Sequence, residues 1–154
     1  MRFKTKVMIP AVALLTSLLV SLPTAQDQAK ANERQKCGIK QISRSYKRLP
    51  YAQPAYNKRF AQTYMSTVYG WCGIQYNCLV TLWNRESGWR VNAHNKSSGA
   101  HGIPQALPGN KMASAGKNWY SDPQVQIKWG LRYISQRYGS PCSALSHSYR
   151  TGWY

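Results

Sequence analysis

Residues 74–88, "IQYNCLVTLWNRESG", decide how this chain reads. Leu79, Leu82, Trp83 and Glu86 recur at i, i+3, i+4 and i+7, which predicts a helix over about residues 75–87 with Gly88 as its stop. The same spacing puts the Glu86 carboxyl on the apolar face, toward the core or a cleft lined by it. The chain has 21 Lys and Arg but only four acidic residues, so an acid in that position asks for an explanation. Burial beside tryptophan disfavours the anion, and the carbonyl ends of the last helical turn repel it. Both effects raise the pKa. A carboxyl group kept protonated near neutrality is what a general acid requires. The plainer alternative is an ion pair with Arg85, Arg90 or another cation, and helical geometry sets Arg85 on the opposite side.

Upstream, "NKRFAQTYMSTVYGW" (57–71) places Phe60, Tyr64, Met65 and Val68 at helical spacing before Gly70, predicting a first helix. Residues 32–56 are polar and basic, with Pro50 and Pro54 as breakers, and read as a tether or cover. Before them, Arg2, Lys4 and Lys6 precede a fourteen-residue apolar stretch (7–20) interrupted by Thr16 and Ser17. Spanning a bilayer takes about 20 apolar residues. Residues 1–31 therefore read as a signal peptide, cut after Ala25 or after Ala31. Four basic residues and one acidic residue lie in that segment, so the remainder carries about +14 on about 120 residues, enough for one core. Such a charge seeks a polyanion, and export makes an anionic envelope polymer the better expectation than nucleic acid.

Downstream, residues 90–122 have no period and hold Gly99, Gly102, Gly109, Gly116, Pro104 and Pro108. A connection that long reads as a functional loop region. Asp122 as N-cap and Pro123 at the first helical position open a third helix, with Ile127, Leu131, Ile134 and Tyr138 as its buried stripe and Gly139 as its end. The remaining "PCSALSHSYRTGWY" reads as a short tail. No stretch alternates like a strand.

Cys37, Cys72, Cys78 and Cys142 are an even set in an exported chain, so two disulfides are expected, with three connectivities allowed. The paired spacings of a zinc site are missing, and neither metal nor other cofactor is expected. Carboxylates are equally informative. Glycosidic cleavage by the usual routes takes two of them. Beyond the signal segment only Glu33, in the tether, and Asp122, used as a cap, accompany Glu86. A one-acid mechanism is left, in which a substrate N-acetyl carbonyl or muramic 6-hydroxyl attacks the anomeric carbon.

"LVTLWNRESGW" (79–89), "NAHNKSSGAHGIPQALPGNKMASAG" (92–116) and the segment from "QIKWGLRYISQRYGSPCSALSHS" (126–148) to "GWY" (152–154) resemble, in that order, the small secreted lytic transglycosylase domains of the lysozyme-like superfamily. These are relatives of soluble lytic transglycosylases, goose-type lysozymes and resuscitation-promoting factors. The resemblance covers about residues 57–154. It implies a mainly α, lysozyme-like single domain with a long irregular Gly/Pro-containing cleft region and two disulfides. Its partner would be the peptidoglycan glycan strand, bound by a monomer in the cell envelope or outside it, without an obligate protein partner. Glu86 would be the acid/base and Ser87 would help orient it. Gly102 and Gln105 of "GIPQ" would meet the sugar, at a motif where relatives commonly carry Tyr in place of His101. His147 stands near the family's C-terminal motif without a residue-for-residue match. The same resemblance implies Cys78 with Cys142 and Cys37 with Cys72; a local Cys72–Cys78 bridge is the alternative.

Trp83, Trp129 and Tyr133 read as core, since their helices must bury an apolar stripe. Trp89 and Trp119 border the irregular region and read as cleft walls. His94 and His101 read more simply as exposed loop residues. Two other functions compete. Cys78 with His147 as base suggests a cysteine peptidase or amidase acting on peptide stems, at the cost of an unpaired cysteine. Charge alone would suffice for a non-enzymatic binder of envelope polymers.

Overall fold

The computed structural model describes residues 24–26, 28 and 46–154. The apolar stretch, Ala31, Glu33 and Cys37 lie outside them, so the readings that rest on those positions do too. After a 3₁₀ turn, Tyr46–Arg48, four α-helices follow among the described residues: α1 (Pro54–Tyr69), α2 (Ile74–Ser87), α3 (Pro123–Tyr138) and α4 (Pro141–Thr151). A 3₁₀ helix, Gly109–Ala115, interrupts the long connection between α2 and α3. Isolated bridges from His101 to His94 and Ala106 are the only β pairing among the described residues. The mainly α expectation holds, and none of the described helices is long and apolar enough to cross a membrane.

Pro54 opens α1 instead of breaking it. At the first helical position its missing N–H costs nothing. Helix α1 thus begins before residue 57. Tyr56 is buried, Leu49 and Ala52 pack on the core, and Tyr51 donates a hydrogen bond to Asp122 Oδ1 at 2.9 Å. Residues 49–53 are therefore a cover docked at the start of α1. On α1 the buried face is Tyr56, Phe60, Ala61 and Met65, while Val68 is exposed.

Leu79, Leu82 and Trp83 of α2 are fully buried, as their spacing demands, and they meet Ile127, Leu131 and Ile134 of α3 in one core. Asp122 caps α3 by accepting from the backbone N–H groups of Gln124 and Val125. A smaller cluster of Ala106, Met112 and Trp129 holds the 3₁₀ helix against α3.

The segment read as a tail is a helix. Ser140 caps α4, Pro141 starts it and Gly152 ends it in the left-handed region, so its start and stop signals were complete. Its buried residues, Pro141, Ala144 and Ser148, are small, and Leu145 is the one large aliphatic side chain that it packs on the core. A disulfide joins Cys78 on α2 to Cys142 on α4 with 5.0 Å between Cα atoms. The local Cys72–Cys78 alternative is thereby excluded. Cys72 is not a free thiol, and Cys37 lies outside the described residues.

Gly130 sits inside α3 where glycine costs about 1 kcal/mol relative to alanine. A Cβ there would stand 2.7 Å from Trp83 Cζ2 and 3.0 Å from Pro104 Cβ, both buried. Overpacking outweighs the propensity gain. Gly130→Ala should lower unfolding free energy by about 1–3 kcal/mol in urea titration; a more stable variant would show that Trp83 yields freely.

Candidate active site

Glu86 occupies the last turn of α2, half-buried. Desolvation raises its pKa above the ordinary carboxylate value, and the charge of Arg85 opposes this to a lesser extent. Among the described residues no Lys or Arg lies within 4.0 Å of its carboxylate. The two cations nearest in sequence are turned elsewhere. Arg85 lies over the Tyr149 ring at 4.7 Å, and Arg90 Nε donates to the Ser87 carbonyl at 2.8 Å. An ion pair therefore does not account for this acid.

Near it runs a partly buried polar relay that local sequence does not disclose. Trp83 Nε1 donates to the Tyr154 hydroxyl at 2.7 Å, and that hydroxyl donates to the Pro104 carbonyl at 2.9 Å. Burial raises the Tyr154 phenol well above its usual range, and the nearby Glu86 charge adds to this, so the hydroxyl stays neutral. Tyr154→Phe strands an indole N–H and a carbonyl at once. An expected loss of about 1–3 kcal/mol follows from leaving buried groups unpaired, measurable by thermal denaturation; an unchanged melting temperature would refute the relay.

The Ser87 hydroxyl makes no hydrogen bond to the Glu86 carboxyl. It donates to the Ile103 carbonyl at 2.8 Å and so ties the end of α2 to the turn at 102–105. In that turn Gly102 has φ 77°, and its missing Cβ makes room for the Gln126 side chain, 2.5 Å from the virtual atom, instead of for a sugar. Gln105, also at positive φ, donates its amide to the Ala93 and Gly102 carbonyls, which pins the turn. Gln126 is the residue missed. Fully buried, it accepts from Ile103 N at 2.9 Å and directs its NH₂ at the carbonyls of Val91, Trp119 and Tyr120.

Three further expectations need correction. Trp89 is no cleft wall; it is fully buried, edge-on to Trp83 at 5.0 Å, because left-handed Gly88 and Trp89 fold the chain back over α2. His101 is neither an exposed loop residue nor available to substrate. It is 2% exposed, stacks on Tyr120 at 4.2 Å, and must carry its proton on Nε2 to donate to the Tyr120 carbonyl. His147 packs against Tyr138 and Trp153 with Nε2 buried and unpartnered. Trp119 is partly buried on the smaller cluster, and His94 is exposed as expected.

Asp122 is occupied by its cap and by Tyr51, so Glu86 is the only described carboxylate left for chemistry. Cys78 is consumed in the disulfide and cannot serve as a thiol nucleophile. Among the described residues no three of His, Cys, Asp and Glu gather to hold a metal ion. Open concavities on the described surface include two of note. One of about 640 Å³ lies between residues 52–54 and 90–94. The other, of about 460 Å³, runs between the 3₁₀ helix and α3. Glu86 lines neither, but Tyr133 of the second lies 6.0 Å, ring to ring, from Tyr154. No family model, curated relative or solved structure matches the chain.

Proposed function

We propose that this chain is a peptidoglycan lytic transglycosylase, exported from the cytoplasm, that cuts the β-1,4 bond between N-acetylmuramic acid and N-acetylglucosamine with Glu86 as sole acid/base. The observation that carries the reading is a half-buried carboxyl with no cationic partner and a pKa raised by desolvation. A protonated Glu86 gives its proton to the glycosidic oxygen as the bond to the anomeric carbon breaks. The carboxylate so formed then takes the proton of the muramic 6-hydroxyl as that oxygen closes on the same carbon. The chain needs no second acid for this cycle, and the described residues provide none. The Cys78–Cys142 bridge agrees with an oxidising compartment.

Mass spectrometry of digested cell walls tests the proposal. The expected product is a muropeptide one water lighter than its reducing-end counterpart, absent from digests with Glu86→Gln. Walls bound but left intact by the parent protein would instead identify a cationic binder.

A further inference from the structure

The groove between the 3₁₀ helix and α3 is lined by Lys111, Ser114, Trp129, Arg132, Tyr133 and Gln136. Its chemistry is lopsided. Lys111 and Arg132 bring two positive charges to one concavity, and neither described carboxylate, Glu86 or Asp122, lines it. Both cations are held in place by neutral oxygens. Lys111 Nζ donates to the Leu107 carbonyl at 2.8 Å, and Arg132 Nη2 donates to Ser114 Oγ at 2.6 Å. The other donors of each remain to be satisfied, since an ammonium has three and a guanidinium five. The same groove presents an aromatic step, with Trp129 and Tyr133 stacked at 5.3 Å and 7°. Tyr133 in turn is one ring from Tyr154, whose phenol feels the Glu86 charge.

We infer that this groove is a carboxylate-reading subsite for the glycan strand, in which Lys111 and Arg132 bind a carboxylate borne by the sugar while Tyr133 supports the ring. The inference rests on the proposed function in taking a glycan as ligand. The carboxylate has two sources: the free carboxylates of an attached peptide stem, or the lactyl carboxylate of a sugar whose stem has been removed, since an attached stem holds the lactyl carboxyl as an amide. A planar fork such as Arg132 matches a carboxylate in two-point contact, and a nearby ammonium adds charge without geometric demand.

The test uses the full chain carrying Glu86→Gln, so that ligand is bound and not consumed, with and without Lys111→Gln and Arg132→Gln. Four probes are compared by calorimetry: muropeptide-bearing glycan oligomers, the same oligomers with stems removed, oligomers with every carboxyl amidated, and uncharged chitotetraose. Loss of charge-assisted hydrogen bonds should weaken the carboxylate-bearing probe by about tenfold or more and flatten its salt dependence. Affinity for the amidated probe and chitotetraose should stay unchanged, which also reports an intact fold. An effect confined to stem-bearing oligomers assigns the stem, one confined to stem-free oligomers assigns the lactyl carboxylate that stem removal exposes, and an effect on both shows a groove that takes either. Equal weakening of all probes, or of none, overturns the subsite. Wall digestion by the parent chain answers separately for the proposed function: digestion with an indifferent groove sinks only the subsite, whereas no digestion with a charge-dependent groove sinks only the cleavage.

Discussion

Glu86→Gln should lower muropeptide release by a hundredfold to ten-thousandfold, the usual worth of a positioned acid/base, about 10²–10⁴. The same substitution should leave the fold intact or steadier. The reason is a sign argument. Burial raises the folded-state pKa of Glu86 above its unfolded value, so the folded chain holds this proton more tightly. That contribution to stability is fully present below the ordinary carboxylate pKa and is lost as pH rises through the raised folded value. Glutamine does not titrate, so the variant escapes the loss. The melting temperature of the variant relative to its parent should therefore climb with pH across that window, while the activity of the parent falls through the same window as its acid deprotonates. Activity within about tenfold of the parent would remove Glu86 from the chemistry. A melting-temperature difference that is flat with pH would show that the carboxyl is not desolvated.

Gln126→Ala should cost as much stability as truncating a large core side chain. One amide side chain joins α3 to three pieces of irregular backbone: Val91, Ile103 and the pair Trp119 and Tyr120. Removing it leaves the Ile103 N–H and at least two carbonyls buried without partners. Each such group costs about 1–3 kcal/mol, and with partial relaxation the sum expected is about 3–5 kcal/mol. Gln126→Leu, which refills the volume, should recover little, because the loss is polar. Hydrogen exchange supplies a local check: the Ile103 amide, protected in the parent, should exchange freely in either variant. A loss below about 1 kcal/mol in urea titration would mean that water replaces the amide.

The two substitutions also mark how far local sequence could be read. Helix α2, its apolar face and the half-buried acid were legible because they depend on spacing within one helix, and the Asp122–Pro123 start of α3 because capping is local. Helix α4 carried an N-cap, an N-terminal proline and a C-terminal glycine. Its amphipathic face is real but inconspicuous, because its buried residues, Pro141, Ala144 and Ser148, are small and Leu145 alone adds a large aliphatic side chain against the core. The cover at 49–53 is hidden for a different reason. Its anchors are Leu49 and Ala52 packed on the core and the Tyr51 hydroxyl on a cap 71 residues away, and none of these shows in its own surroundings.

The site divides along the same line. That one carboxyl lies on a buried face among many cations was fixed by its position relative to Leu79, Leu82 and Trp83. What keeps it free of those cations was decided only in three dimensions, where Arg85 rests on Tyr149 and Arg90 turns to the Ser87 carbonyl. The burial of Trp89 and His101, the space beneath Gly102, and the joining of Trp83 to Tyr154 were decided there as well. Periodicity and capping are properties of neighbouring residues, so one sequence displays them. The partner of a buried polar group is chosen by the packing of distant segments, and no local pattern records that choice.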